Sequence, residues 1–340
     1  MQSAPKRSNL CYNERQKKRL SAGMRISRPD RQREDKNDMF KDLTGKTCFK
    51  LGLHTHTTLS DGHLTPAEVA KAYRAAGYDA IALTDHWKYG PAQTLEGLKI
   101  FSGVEYNIDT GDSTYGGAHI VALCMDYDPC LDPVHTTIPQ AIEAIHKAGG
   151  IAVLAHPAWS LCQVEDMLSY EGIDATEIYN TVSAAHESDR PYSGLLLDLL
   201  ANKGRTWPLF ASDDAHYYDG SDEVLAATVI HADELTEKTF KDAVLRRDLY
   251  ATQCRVQYAP RKNDNGPEVH LWRDGDTVRV LCSPAVKISL LSNLVWSQNR
   301  ITRGENLTEA AYRLHEKDKY IRTEVTDAEG RMAFSSYIVL

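Results

Sequence analysis

The sequence predicts an α/β fold, a parallel barrel or doubly wound sheet, followed by a small antiparallel β domain. Three observations carry this reading. From Lys46 onward, short apolar runs alternate with amphipathic stretches of about a dozen residues, as strands alternate with helices. Six of these runs contain or end in His, Asp, Glu or Asn. Beyond about Gln257 the helical stretches give way to short alternating runs.

The first unit shows the logic. Phe49–Leu53 reads as a strand leading into His54-Thr55-His56. Thr65-Pro66-Ala67-Glu68 then reads as a capping box, with Thr65 as N-cap, Pro66 at the first helical position and Glu68 reaching back to the cap. Val69, Ala72, Tyr73 and Ala76 share a face, and Gly77 suits the left-handed position that stops a helix. The chain returns as Ala80–Leu83, a buried strand ending at Thr84-Asp85-His86.

The arrangement recurs. Ile100–Val104 leads into Glu105, and Ile151–Leu154 into His156. Ala175–Tyr179 contains Glu177 and ends at Asn180, and Leu209–Ala211 leads into Asp213, Asp214 and His216. Helices are expected at Ile138–Lys147, Tyr192–Lys203 and Glu237–Arg247. Functional residues of parallel α/β folds collect at the carboxyl ends of strands. His119 begins its apolar run, so it reaches the same rim if its strand runs antiparallel, as in a hairpin with the strand before it.

The expected boundaries are a basic leader over 1–42, the α/β domain over 43–257, a Pro- and Gly-punctuated linker over 258–268 and the β domain over 269–340. The C-terminal strands are read at Val269–Trp272, Thr277–Cys282, Lys287–Leu291, Ala311–Leu314, Tyr320–Thr326 and Met332–Val339, with turns at Asp274-Gly275 and Glu329-Gly330.

Composition narrows the function classes. The 340 residues carry a net charge of −8, yet the first 42 hold 12 Lys+Arg against 6 Asp+Glu, leaving −14 for the remainder. The leader is poor in apolar residues and reads as disordered, with an arm for nucleic acid or anionic lipid as the competing reading. An acidic body disfavours a long nucleic acid on the folded part. Without 18 consecutive apolar residues or a signal-peptide core, no membrane association is expected. Seven scattered cysteines without a C-x-x-C spacing fit a reducing, cytoplasmic setting.

Two imidazoles two residues apart on an extended backbone face the same side and can grip one ion. His54-x-His56 is such a pair, and Asp61, His86, Glu105, His119, His156, Asp214 and His216 bring the donor set to nine. Nine donors without cysteine exceed the needs of one catalytic ion, so a multinuclear site is implied. Adjacent divalent ions activate water and clamp an anionic substrate, which is the chemistry of phosphoester hydrolysis.

In this order, His-x-His, Ser-Asp-Gly, Thr-Asp-His, Gly-Val-Glu, Ala-His-Pro and Asp-x-His resemble the PHP (polymerase and histidinol phosphatase) metallohydrolase family over roughly Lys46 to Gln257. Tyr320–Arg331 resembles the end of the β domain in the two-domain CehA/McbA-type branch. The resemblance implies a distorted (βα)7 barrel holding two or three divalent ions, zinc, manganese or iron. It places His54, His56, Glu105 and Asp214 on the first ion, with Glu105 bridging to a second on His119 and His156. Asp61, His86 and His216 take a third, although Asp61 stands where some members have His. A hydroxide between the first two ions would attack phosphorus, and Glu105, Asp214 and His216 form the catalytic set.

Arg190, His186 and Lys88 are candidates for binding a phosphate near the rim, and Trp87 and Trp159 for walling the pocket. His63, Asp85 and Asp213 are candidate supports for the ligands. Glu177 and Asn180 fit a family-like Glu-x-Tyr-Asn pattern without an assigned role. The expected activity is metal-dependent hydrolysis of a small phosphate monoester or diester, such as a nucleotide or short oligonucleotide end. The alternatives are a carboxylic or carbamate ester hydrolase of the same fold, and a non-catalytic scaffold whose β domain binds a partner.

Overall fold

The computed structural model describes residues 40–109, 117–184, 188–257, 265–296 and 299–340. The leader up to residue 39, residues 258–264 of the linker and His186 lie outside the described residues.

The first part of the chain runs β1 (Cys48–Gly52), α1 (Pro66–Ala75), β2 (Ala80–Ala82), β3 (Gln93–Leu95), β4 (Leu98–Phe101), β5 (Gly103–Ile108) and β6 (Ala118–Leu123). It continues through α2 (Ile138–Lys147), β7 (Ile151–Leu154), α3 (Val164–Ser169), β8 (Ala175–Asn180), α4 (Gly194–Asn202) and β9 (Leu209–Ser212). After β10 (Ala226–His231), α5 (Glu237–Arg246) and β11 (Leu249–Gln253) the regular elements among the described residues are all β. Its strands are β12 (Val269–Asp274), β13 (Thr277–Ser292), β14 (Ile301–Arg313), β15 (Tyr320–Thr326), β16 (Met332–Ser335) and β17 (Ile338–Val339).

Helix α1 begins as its sequence dictates. The Thr65 side chain accepts from the Glu68 N–H at 3.4 Å, and Glu68 Oε2 accepts from the Thr65 N–H at 2.9 Å. Gly77 follows the helix at φ +77°, a conformation glycine adopts without the steric cost of a Cβ. Val69, Ala70 and Tyr73 are the buried positions, so the helix presents a narrower apolar face than the spacing alone implies.

The fold is mixed α/β, built on two sheets. Five strands pair in the order β5-β6-β7-β8-β9, and the larger sheet includes the path β12-β13-β15-β16-β11-β10-β1-β2-β4-β3. Strand β6 is antiparallel to both β5 and β7, which brings His119 to the rim from the start of its strand. A hairpin needs no crossover helix. This partly explains why only five α-helices occur among the described residues, against the seven of the expected barrel.

The strands do not close into that barrel. Strand β10 pairs antiparallel with β1 from Cys48 to Leu51, taking the flank that a closed barrel would give to β9. Among the described residues, β9 and β1 meet through a single bridge beyond their ends, Thr55 to Ala215. On the other side the chain crosses between sheets at Ser102, so the single strand expected at Ile100–Val104 is divided between β4 and β5. The Ser102 N–H donates to Glu237 Oε1 of α5 at 2.8 Å and is thereby drawn out of the ladder.

The inner faces of the sheets nevertheless share one core. Leu51, Leu53, Ala82, Phe101, Val121, Val153 and Phe210 come from both sheets and pack with Phe240 and Val244 of α5. Each such large apolar side chain contributes about 1.5–3 kcal/mol on burial. This packing anchors the strands just below the polar residues at their ends.

The C-terminal strands extend the larger sheet, because β16 pairs with β11 through Tyr250–Ser335, Ala251–Phe334 and Thr252–Ala333. The runs expected as two strands at Thr277–Cys282 and Lys287–Leu291 form one long β13. Register shifts around Ala285 accommodate the Ser283-Pro284 step. No described helix is long and apolar enough to cross a membrane.

Candidate metal centre

The nine donors named from the sequence converge where the two sheets face each other. His54 and His56 follow β1, His86 follows β2, Glu105 lies in β5 and His119 at the start of β6, while His156 follows β7 and Asp214 and His216 follow β9. Two isolated bridges, Thr55 to Ala215 and His86 to Glu105, tie these strand ends together. His156 and Asp214 take positive φ, at 26° and 54°, and such backbone in a non-glycine residue persists only where surrounding contacts hold it.

One group is tightly packed. His54 Nε2 lies 3.2 Å from Glu105 Oε2 and 3.1 Å from Asp214 Oδ1, and His56 Nε2 lies 3.1 Å from each of the same oxygens. The two Nε2 atoms are 3.2 Å apart. Donors about 2.0–2.1 Å from a tetrahedral ion stand about 3.3–3.4 Å from one another, so this spacing suits a small divalent cation. Asp214 Oδ1 is buried without a hydrogen-bond partner among the described residues, a costly arrangement that a cation would relieve.

Glu105 faces a second group with its other oxygen. Oε1 lies 2.9 Å from His119 Nδ1 and 3.4 Å from His156 Nε2. A third group forms at the mouth, where Asp61 lies 3.4 Å from His56 Nδ1 and 3.6 Å from the Nε2 atoms of both His86 and His216. The third group thus includes His56, which the motif-based assignment left on the first ion alone. Asp61 is 54% exposed, in contrast to the buried Glu105, so the groups grade from closed to open.

Electrostatics follow from this crowding. Burial opposes charge on His54, but Asp214, Glu105 and Glu177 outweigh it and raise the imidazole well above its ordinary range. His56 is also raised, by Asp214, Asp61 and Glu105 acting against burial. Burial favours the neutral forms of Glu105 and Asp214, yet the surrounding histidines hold both well below the usual carboxylate range. His86 is lowered, chiefly by burial.

The supports are of two kinds. Asp85 fixes the loop carrying Asp61 by accepting from the Thr57 N–H at 2.7 Å and from the Ser60 N–H and Oγ–H at 3.1 and 2.8 Å. Asp213 points away from the donors and accepts from Tyr73, Thr181 and the Leu225 and Ala226 N–H groups, while burial pushes its carboxyl up to about 7. Glu177 and Asn180 acquire the role that sequence could not assign. Glu177 Oε1 lies 2.9 Å from His54 Nδ1, and its Oε2 accepts from the His156 N–H and Asn180 Nδ2, both at 2.9 Å. Asn180 Nδ2 also donates to Asp214 Oδ2 at 3.1 Å.

Above the donors lies a cavity of about 340 Å³ walled by His63, Trp159, Val182 and Tyr217. Trp159 packs edge-on against His119 and His156, with ring centroids 5.6 and 4.8 Å away. Trp87, the other expected wall, packs on Tyr106 and bonds Asn107 instead. Lys88 and Arg190 are exposed and do not line the cavity, so neither of these phosphate-binding candidates is brought to it. The Lys88 N–H donates to the Asp85 carbonyl at 3.2 Å and the Arg190 N–H to that of Ser183 at 3.1 Å, holding both backbones outside the rim.

This open cluster of imidazoles and carboxylates, with Glu105 shared between two of its groups, could hold several cations. Residues 52–156 match the PHP domain, the family whose motifs the donors resemble. A 3',5'-nucleoside bisphosphate phosphatase of Chromobacterium violaceum is 32% identical over 133 residues, 35% of this chain and 46% of that protein. A 5'-3' exoribonuclease of Haemophilus influenzae is 29% identical over 110 residues, 31% of this chain and 38% of that protein. The chain therefore spans less than half the length of either relative. A solved two-domain protein of Bacteroides vulgatus, described as containing a PHP-like metal-dependent phosphoesterase, superposes with a TM-score of 0.51. That match has 16% identity and covers 90% of this chain and 99% of that one, so the likeness is one of fold.

Proposed function

We propose that this chain is a metal-dependent phosphoesterase that cleaves a small phosphate monoester or diester, such as a nucleotide or a short oligonucleotide end. The observation that carries the proposal is Glu105, whose Oε2 faces His54 and His56 while its Oε1 faces His119 and His156. One carboxylate shared between two donor groups is the arrangement that adjacent ions require. The match to a nucleoside bisphosphate phosphatase supports phosphorus as the reacting centre.

When bound, two or three divalent ions, zinc, manganese or iron, supply an activated water and draw charge from the phosphoryl oxygens. His54, His56, Glu105 and Asp214 would hold the first, Glu105, His119 and His156 the second, and Asp61, His86 and His216 the third beside His56. Glu177 holds the His54 ring with Nε2 turned inward. Trp159 and Tyr217 narrow the cavity to a volume that admits a small ester. Among the described residues that line it there is no lysine or arginine, so in this proposal recognition of a phosphate's charge falls to the cation site. The proposal takes the C-terminal strands as the β domain of a CehA/McbA-type branch, a reading supported by the resemblance of Tyr320–Arg331 to the end of that domain.

The test is turnover of a panel of phosphomonoesters, phosphodiesters and aryl carbamates by metal-loaded protein. Hydrolysis of nucleotides or nitrophenyl phosphates is expected. Turnover confined to carbamates would overturn the proposal.

A further inference from the structure

At the opposite end of β1 from His54, about 20 Å away along an extended strand, a second group of donors comes together outside the centre described above. Asp42 precedes β1, His231 ends β10 and His270 lies in β12. Their ligand atoms all lie within 4.8 Å of one another. His231 Nε2 is 2.9 Å and His270 Nε2 is 3.7 Å from Asp42 Oδ2, values on either side of the about 3.4 Å between donors on a tetrahedral zinc ion.

The hydrogen bonding around Asp42 and His231 leaves one inward-facing atom of each without a partner among the described residues. Asp42 Oδ1 accepts from the Thr44 N–H and Oγ–H, both at 2.8 Å, and from the Lys46 N–H at 2.9 Å. Its Oδ2 has no hydrogen-bond partner among the described residues, and neither has His231 Nε2. The two atoms are close, but their contact lacks hydrogen-bond geometry, which argues against a simple Asp–His–Asp proton relay. Asp42 and His231 are 6% and 7% exposed, so water does not readily satisfy either group. His231 Nδ1 meets Asp248 Oδ1 at 2.8 Å, the outer carboxylate contact that metal-binding imidazoles typically make. His270 Nε2 donates to Glu268 Oε1 at 2.6 Å, so zinc would have to displace the proton they share, with the freed Glu268 oxygen left at the edge of the site.

We propose that Asp42, His231 and His270 form a separate structural zinc site that fastens the segment entering β1 to β10 and β12. Two imidazoles and a carboxylate, with Asp42 and His231 buried and His270 partly so, suit zinc better than magnesium or calcium. The site is independent of the phosphoesterase proposal, because it shares no residue with that centre.

The test uses the full chain, stripped with a chelator, reloaded with zinc and analysed for metal content alongside His270→Gln and Asp42→Asn. Each variant is expected to bind one zinc ion fewer per chain than the unmodified protein, and Glu105→Gln is expected to keep this ion. Equal zinc content in the unmodified protein and both variants would overturn the proposal. Should the variants fail to fold, hydrogen exchange over residues 40–48 of the Glu105→Gln protein gives the answer. Zinc should slow exchange there by about tenfold or more, corresponding to about 1.4 kcal/mol, and unchanged exchange would overturn the site.

Discussion

Glu177 Oε1 lies 2.9 Å from His54 Nδ1, and the other oxygen of the same carboxylate holds the His156 N–H. One buried side chain therefore orients donors from both of the inner groups. Outer carboxylates of this kind typically contribute 10–100-fold to metal affinity. Glu177→Gln should weaken metal binding by about that factor while leaving far-UV circular dichroism unchanged, as read by competition with a chromophoric chelator. Unchanged affinity would remove Glu177 from the account.

The protonation of His54 and His56 sets a pH dependence. Their raised pKa values mean that protons occupy the metal-free imidazoles to higher pH than the ordinary value of about 6.5. Zinc must displace these protons, so its apparent affinity should climb as pH rises through and above the ordinary imidazole range. Calorimetry in buffers of different ionisation enthalpy should register proton release on binding. Affinity that is flat across that range would contradict the assigned electrostatics.

The same shifts predict a stability effect of defined sign. A raised imidazole stabilises the metal-free fold fully below its unfolded pKa, and that contribution is lost as pH rises through the folded value. Metal-free protein should therefore lose thermal stability on passing from slightly acid to alkaline pH, and added zinc should restore it. A metal-free melting temperature that rises over this interval would oppose the reading.

Gly62 tests the loop that carries Asp61. A Cβ at this position would lie 2.5 Å from both the carbonyl carbon and oxygen of His56, which is backbone that cannot swing aside. Gly62→Ala should displace Asp61, lower the bound metal by up to one ion and reduce turnover by about tenfold or more. Full activity and metal content would show that the Asp61 loop is dispensable.

Much of the site was legible in sequence because its signals are local. His54-x-His56, the Thr65 capping box and the reversed position of His119 each follow from the period of a strand or the chemistry of a helix end. The role of Glu177 was not legible, since it depends on contacts with His54 and His156 from other strands. Asp42, His231 and His270 likewise carry no spacing signal. The barrel expected from the resemblance is opened by β10 pairing on β1, a contact between distant segments that leaves no local signal in the sequence. Lys88 and Arg190 were placed by sequence proximity to the rim, whereas the cavity is walled by aromatic and metal-binding residues.

Glu105→Gln tests the central claim most directly, read as metal ions per chain by elemental analysis together with turnover of a phosphate ester. The substitution keeps the side chain's size but removes the shared charge. The account predicts loss of at least one bound ion and a fall in turnover of about a hundredfold or more. Metal content and turnover equal to those of the unmodified protein would contradict a multinuclear centre bridged by Glu105.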